Sequence, residues 1–578
     1  MNFVAPTSFP DTLGPNALKG VKVLLINMPI REQARPNNPP VGPALLAGRL
    51  RAYGAEPNIV DLNIYRIQDA EAARRGLEFG RSLSFSEARA LLARTLDKIG
   101  PQHVIGLSGL ITTLTWQTEV AKIIRDLDPD AMLVSGGGLA TQFRTTLLDW
   151  IPELDAVSHS EGDDVILKMA LDAKTIRDLG FDRANKSGRL APYFHDTRNG
   201  RPRFFYQGYR TADLDVLPWP AYDLLKEDVD GFPVLETYLN TPVWGGSAKN
   251  SSATSFDMPR SISTISSRGC PFACKFCFRG GQGERNYGVR SAQNIADEFL
   301  HYRDCYGVEF IALLDDNFMV SPKRITELAD ILEPYARDGK LQWGTHGRLD
   351  EAADLRPDRN GGYKKADVRR VDEMARAGCV YIGFGAESAS ARTLDAMGKG
   401  GFMLSNGITK INGYEFPLTM VEGIRNTYAS GIHGNCTWIM GYPGETLPDL
   451  QTSVAFIRWQ EEEISKGLTP GSDEHKRALA SINKALFTAT AYPGTEMFQA
   501  PKVMASLEQV FGLTFDAKTK QPVPDENYRK YVLELNDASK MIANSDGRPL
   551  NYSDMPDDQF VEVRSMLDAG KLDEVLSL

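Results

Sequence analysis

The feature that most restricts the fold is an alternation, repeated twice along the 578 residues, of short apolar runs with longer segments of helical period. In the first stretch the runs cover residues 21–27, 58–62, 104–108, 131–135 and 156–160, and 44–53, 70–99 and 116–127 read as helices between them. In the second the runs cover 262–266, 310–314, 341–345, 380–384, 437–440 and 486–490, with helical segments such as 292–305 and 323–336. Strands that alternate with helices build parallel sheets covered by helices. The expected class is therefore α/β, with a doubly wound, Rossmann-like N-terminal sheet. Next comes a partial (β/α)6 barrel, short of the eight units that close one, and then a mainly helical C-terminal appendage. The boundaries read as 1–170, a connecting segment 171–258, the barrel 259–500 and the appendage 501–578. The connecting segment is assigned from the irregular, proline-punctuated run around Pro218 and Pro220 and the polar stretch 245–255.

Composition narrows the function classes. A chain that is 42% hydrophobic and 24% charged is neither disordered nor fibrous. A net charge of −10, with no long basic run, speaks against nucleic acid as the main partner. No apolar run reaches the roughly 18 residues of a membrane span, and residues 1–15 lack the pattern of a signal peptide. The expected location is the cytoplasm.

Three of the 6 cysteines fall in Cys270-Pro-Phe-Ala-Cys274-Lys-Phe-Cys277, directly after the first strand of the second alternation. That loop lies at the strand's carboxyl end, where barrel chemistry is built. Structural zinc takes four protein ligands, and no fourth Cys or His is adjacent; His301 and Cys305 follow only after a helix has begun. Three thiolates suit an iron–sulfur centre with one iron left open, and such centres reach potentials towards roughly −700 mV. Cys305, Cys379 and Cys436 read as small hydrophobes inside helices or strands. Trp343, Trp438 and Tyr381 read as core aromatics.

This cysteine spacing resembles the radical S-adenosylmethionine (radical SAM) superfamily, and further segments resemble its cobalamin-binding branch. They are Arg268-Gly269-Cys270-Pro271, Leu314-Asp315-Asp316-Asn317-Phe318, Gly383-Phe384-Gly385-Ala386-Glu387-Ser388, Gly441-Tyr442-Pro443-Gly444-Glu445-Thr446 and Pro493-Gly494-Thr495. The resemblance implies that Cys270, Cys274 and Cys277 hold a [4Fe-4S] cluster whose open iron chelates SAM. It implies SAM contacts from Phe276, from Asp315, Asp316 and Asn317 at the second strand's end, and from Glu387 and Ser388 at the fourth. The family's usual Gly-Gly-Glu is missing. Arg348, ending the third strand, is expected to pair with the SAM carboxylate as a guanidinium fork. Gly441 and Tyr442 are expected to let backbone approach adenine. The alternative for Asp316, Arg348 and Glu387 is a salt bridge at the barrel mouth, and for Gly441–Gly444 a plain turn.

In the N-terminal sheet, Ile105-Gly106-Leu107-Ser108-Gly109-Leu110-Ile111-Thr112 and Leu133-Val134-Ser135-Gly136-Gly137-Gly138 resemble the cobalamin-binding module of methionine synthase, over roughly residues 20–165. Glycines open a slot, and Ser108 and Thr112 supply hydroxyls to a buried nucleotide tail. The implied cobalamin contacts are Met28, Asp61, Ser108, Gly109, Leu110, Thr112, Gly136, Gly137, Gly138, Glu161 and Gly162. The cobalt-ligating Asp-x-His-x-x-Gly is absent, its place taken by Asn27-Met28-Pro29-Ile30-Arg31. The loop 28–43 is therefore expected to cover cobalt's lower face. His103 and His159 read as structural or exposed.

These features point to a cobalamin-dependent radical SAM methyltransferase acting on an unactivated carbon, with a cobalamin-dependent oxidative cyclase or rearrangement enzyme as the alternative. A regulatory cobalamin protein is disfavoured by the intact cysteines. The expected substrate is a small or lipid-like molecule, walled by the insertion 399–423, the addition 234–257 and the C-terminal residues. The expected electron donor is a flavodoxin or ferredoxin. No residue is assigned as catalytic from sequence.

Overall fold

The computed structural model describes residues 13–244 except 33 and 187, 260–279, 287–357 except 338 and 340, 363–536 and 541–578. The polar stretch 245–255 and the first twelve residues lie outside these. The chain divides into two compact units, one formed by residues 1–240, 280–284 and 522–540, the other by 241–279, 285–521 and 541–578.

The first unit is built on seven strands: β1 (Lys22–Asn27), β2 (Glu56–Asp61), β3 (Val104–Ser108), β4 (Met132–Gly136), β5 (Ala156–His159), β6 (Phe194–Arg198) and β7 (Arg201–Gln207). They lie in the order β2-β1-β3-β4-β5-β7-β6, all parallel except β6. Val23, Leu25, Val104, Val134 and Ala156 alternate inward on these strands. They pack against Ala47 and Leu50 of helix Val41–Ala52 and against Ile166, Leu167 and Ala170 of helix Val165–Leu179. The strand order reverses between β1 and β3, and a crevice opens there at the carboxyl ends in such sheets. Met28 continues the pairing past β1, its N–H donating to Ser108 O at 3.3 Å.

Three segments differ from the sequence reading. The first helix begins at Val41, so Pro43 falls in its first turn, where the missing N–H costs no intrahelical bond. Residues 70–99 form two helices, Ala70–Arg74 and Phe85–Ile99, because Gly76 and Gly80 take left-handed backbone between them. The second restarts on a capping box, Ser84 with Glu87. Within 171–258, the hairpin β6–β7 extends the sheet beyond β5, pairing Ala156 with Phe204.

In the second unit six parallel strands follow one another across an open sheet: β8 (Ser261–Thr264), β11 (Phe310–Leu313), β12 (Gln342–Gly347), β15 (Cys379–Glu387), β18 (His433–Met440) and β19 (Leu486–Thr488). Short ladders accompany them: β9 (Ser267–Arg268) with β10 (Gly288–Val289), β13 (Leu355–Pro357) with β14 (Tyr363–Lys365), and β16 (Ile408–Ile411) with β17 (Tyr414–Pro417). All six runs expected from sequence are strands of this partial barrel. Trp343, Trp438 and Tyr381 are fully buried in it. Cys379 and Cys436 are buried as expected, but Cys305 is exposed, on the outer side of helix Ala292–Tyr306 with His301 Nδ1 3.4 Å from its sulfur. The C-terminal residues are helical: Pro501–Phe511, Asp557–Asp568 and Leu572–Ser577 belong to this unit, and Glu526–Glu534 to the first. Among the described residues no helix is long and apolar enough to cross a membrane.

Candidate active site

The loop bearing Cys270, Cys274 and Cys277 follows β8 and β9 and is held by backbone bonds on two sides. Lys275 N–H donates to Met397 O at 2.9 Å, and Met497 N–H donates to Lys275 O at 2.8 Å. Arg279 adds an ion pair with Glu496 at 2.8 Å. The segment Pro493-Gly494-Thr495 earns its place through this contact. The Thr495 hydroxyl donates to Tyr492 O at 2.8 Å and accepts from Phe498 N–H, fixing the turn that presents Met497.

Cys270 and Cys274 are half-buried and Cys277 is exposed as a residue. The thiols of Cys270 and Cys277 are pushed up, first by the crowding of protein around the sulfur, then by negative charge on Asp316 and the neighbouring cysteines. Negative charge at each of these positions acts on the others, an effect that a bound cation would relieve. Among the described residues no three His, Cys, Asp or Glu side chains converge on a single metal ion.

The acidic residues at the strand ends divide into two kinds. Asp315 is buried and fully engaged, accepting from Ser266 N–H at 2.6 Å, Ser266 Oγ at 2.5 Å and Ser267 Oγ at 2.6 Å. It ties the end of β11 to the end of β8 and has little left to offer a ligand. Asp316 is exposed and acts electrostatically on Cys270 and Cys277. Asn317 is buried and caps the short helix 318–320, its Oδ1 accepting from Met319 N–H. Phe276 is half-buried in the cysteine loop.

At the end of β15, Glu387 takes a left-handed backbone (φ +67°) beside a break in register with β18. A non-glycine residue held this way is strained, and such strain concentrates at functional positions. Lys399 anchors it, its ammonium donating to Gly385 O and lying 3.4 Å from Glu387 Oε1. Ser388 is turned away and buried, its hydroxyl 3.1 Å from Ser453 Oγ. Arg348 is buried and its fork is already filled by Asp350, at 3.0 and 3.1 Å. Gly441 needs its freedom for two protein reasons: a φ of +80°, and Phe560, which a Cβ there would meet at 2.9 Å. Tyr442 is buried, with its hydroxyl 3.5 Å from Ala396 O.

Asp350, Lys399 and Glu445 complete this site, and sequence reasoning did not single them out. Glu445 is fully buried and accepts from Gly441 N–H at 2.6 Å, while its Oε1 has no partner among the described residues. Burial, the leading cause, raises its carboxyl to about 8. The signal was present in the Gly-Tyr-Pro-Gly-Glu run, where a carboxylate four residues after a glycine can fold back onto that glycine's N–H.

At the carboxyl edge of the first unit's sheet, β3 and β4 end in glycines that touch. Gly137 has φ +83°, and a Cβ on it would lie 2.6 Å from Gly109 O. A Cβ on Gly162 would lie 3.1 Å from Leu46, so the helix that starts after β1 packs closely there. Gly136 and Gly138 are uncrowded. Ser108 is half-buried, Leu110 is 49% exposed and Met28 is buried. Thr112 is buried, and its hydroxyl has no partner among the described residues. It lines a cleft of about 270 Å³ shared with Pro29, Ile30, Arg31 and Trp116. Two expected contacts are committed elsewhere. Asp61 accepts from Asn27, from Asn63 N–H and from Tyr238 Oη at 2.5 Å, and Glu161 pairs with Arg210 at 2.6 Å. His103 Nδ1 accepts from Lys22 N–H, and His159 Nδ1 lies 3.0 Å from Thr141 O.

The family model for the radical SAM superfamily matches residues 264–457. These residues thus form a radical SAM domain. A [4Fe-4S] cluster and SAM are the cofactors of that family. An uncharacterized methyltransferase of Pyrococcus horikoshii is 26% identical over 83% of each chain. An anaerobic magnesium-protoporphyrin IX monomethyl ester cyclase of Cereibacter sphaeroides is 23% identical over 64% of this chain and 52% of its own. Among solved structures, the cobalamin-dependent radical SAM enzyme OxsB matches with a TM-score of 0.56 at 15% identity, over 88% of this chain but only 63% of its own. The radical SAM methyltransferase TsrM from Kitasatospora setae, with cobalamin and a [4Fe-4S] cluster bound, matches with a TM-score of 0.50 at 15% identity, over 96% of this chain and 98% of its own. These two likenesses establish a common fold.

Two predictions follow from the site's packing. Gly137→Ala places a Cβ against Gly109 O on left-handed backbone and should cost about 1–3 kcal/mol, read as a lower midpoint in urea. Glu445 is neutral in the fold and ionised when unfolded between its ordinary value of 4.5 and about 8. The folded chain binds more protons across that window, so this group's stabilisation is complete below 4.5 and is lost as pH rises towards 8. Glu445→Gln should remove that part of the pH slope in thermal melts run from pH 5 to 8.

Proposed function

We propose that this chain is a cobalamin-dependent radical SAM methyltransferase that methylates an unactivated carbon of a small or lipid-like molecule. One observation carries the cobalamin part. The buried, unpartnered Thr112 hydroxyl stands at the edge of a doubly wound sheet, beside the touching glycines Gly109 and Gly137, in the same chain as a radical SAM core. A buried hydroxyl without a partner is costly unless a ligand satisfies it. When bound, the cluster with SAM supplies a 5'-deoxyadenosyl radical and methylcobalamin supplies the methyl group.

The chain's own residues bind and orient. Cys270, Cys274 and Cys277 hold the cluster, on a loop whose backbone is fixed at Lys275. Asp316 offers the SAM ammonium an exposed carboxylate next to the thiols. Glu387, clamped by Lys399, offers acceptors to the ribose or methionine portion. In the first unit, Ser108 and Thr112 would donate to the nucleotide tail, the uncrowded Gly136 and Gly138 would leave room for it, and Met28 with the loop after β1 would lie against the bound cobalamin. That loop is itself anchored, Ile30 N–H donating to Asn63 Oδ1 and Arg66 donating to Ala34 O. Exposed Phe402, from the insertion after Lys399, rests on Phe272 with ring centroids 5.3 Å apart and offers an apolar wall to a substrate. We place the enzyme in the cytoplasm, with a flavodoxin or ferredoxin as electron donor.

Anaerobic reconstitution with iron, sulfide and hydroxocobalamin should leave about four irons and one cobalt per chain after desalting. Methyl-labelled SAM should then pass label to product with release of S-adenosylhomocysteine. Product that has lost hydrogens and carries no label would instead establish the cyclase alternative, and iron without cobalt would remove the methylcobalamin reading. Thr112→Val should leave thermal stability unchanged or higher, because it deletes an unpaired hydroxyl. It should also weaken hydroxocobalamin retention about five- to tenfold, the worth of one hydrogen bond.

A further inference from the structure

We propose that Arg348 is a positioning residue for the cysteine loop and raises the reduction potential of the centre held by Cys270, Cys274 and Cys277. The inference rests on the cluster assignment and goes beyond it.

Arg348 follows β12 and precedes helix Leu349–Ala353, with only 6% of its surface exposed. Each guanidinium nitrogen has a direction. Nε and Nη2 grip Asp350 at 3.0 and 3.1 Å, and Nη1 points at Cys274 Sγ, 3.9 Å away. The flat face of the guanidinium lies over the Phe272 ring at 4.0 Å. Phe272 sits between Cys270 and Cys274 in sequence, and its ring also makes an edge contact with Phe402, with centroids 5.3 Å apart. Arg348 is thus clamped by a carboxylate and an aromatic ring, and its remaining N–H is directed at one cluster ligand. A fork so occupied is poorly placed to bind the carboxylate of SAM.

The physical consequence has a definite sign. The Arg348–Asp350 pair is close to neutral overall, so what reaches the sulfur is mainly the N–H dipole with its positive end forward. Reduction adds one electron to a centre already carrying three thiolates. A donor hydrogen bond to one of them stabilises the more negative, reduced form and so raises the potential; hydrogen bonds to the sulfurs are among the recognised determinants of cluster potential. The electron comes from an external low-potential one-electron donor, no bond is made or broken, and no proton moves. A guanidinium suits this role better than an ammonium, because only the planar fork can hold Asp350 and keep a third N–H on the sulfur.

The test is an EPR-monitored redox titration with dithionite, run anaerobically on the reconstituted full-length chain without SAM, for wild type, Arg348→Gln and Arg348→Lys. Iron content is measured on each. Arg348→Gln should hold the same iron and shift the reduction equilibrium about tenfold towards the oxidised form, ~59 mV for a one-electron couple. Arg348→Lys should fall between the two. If Arg348→Gln retains no cluster, the lysine variant carries the test, and a midpoint equal to wild type overturns the proposal. Equal midpoints without SAM, with a difference only when SAM is present, would also overturn it, in favour of a SAM-carboxylate contact. A wild-type chain that takes up no iron would bring down the cluster assignment and this inference together.

Discussion

A loop that presents three thiols to one centre must be fixed in space before the centre arrives. Here the fixing is done by the main chain of Lys275, bonded on one side to Met397 and on the other to Met497. Those partners follow the fourth and sixth strands of the partial barrel, so the first strand's loop reads the positions of strands far from it in sequence. Parallel strands in sequential order make this possible, because every carboxyl end falls on one edge. The ordering of the six strands and the placing of the cysteines are therefore parts of one constraint. Pro493-Gly494-Thr495, distant from the cysteines in sequence, belongs to that constraint as much as Cys274 does.

The carboxyl ends of strands in each unit, taken separately, show how a fold uses its polar side chains. A buried carboxylate is tolerated only with donors around it. Asp315 gathers three from the loop after β8, Asp61 gathers three around the end of β2, and Asp350 takes the fork of Arg348. Each stands where a ligand contact was expected or next to such a position, and each is occupied by protein. Position at a strand's carboxyl end raises the prospect of function without separating a ligand contact from a knot that keeps the end of the sheet in shape.

What the sequence disclosed follows from this. The strands were legible because each is a short apolar run flanked by helical periods, and that pattern is local. The cysteine triplet was legible because its spacing is local too. The hairpin β6–β7 was missed because Phe194–Arg198 alternates weakly and is mostly exposed; it becomes a strand only by pairing with β7, which β5 in turn recruits. Arg348 was found as a residue but its partners were not. Asp350 lies two positions on, yet Cys274 and Phe272 come from a strand two places away in the sheet. Cys305 looked like an interior residue, and helix Ala292–Tyr306 places it outward because its buried stripe runs through Ile295, Phe299 and Tyr302.

Strand-end residues that the fold already occupies can be separated from neighbours of the same type that it does not bury or pair in the same way. In the second unit Asp315 is buried and consumed by Ser266 and Ser267, while its neighbour Asp316 is exposed. In the first unit Ser135 is consumed in a buried chain through Gln117 to Thr113, whereas Thr112, one residue earlier, opens on the cleft behind the loop after β1. In both places adjacent residues of the same type differ: Asp315 and Thr113 serve the fold, Asp316 is exposed, and the Thr112 hydroxyl has no partner among the described residues. An unsatisfied buried hydroxyl costs stability in the empty protein. A bound group that paired with this hydroxyl would recover what the fold gives up there.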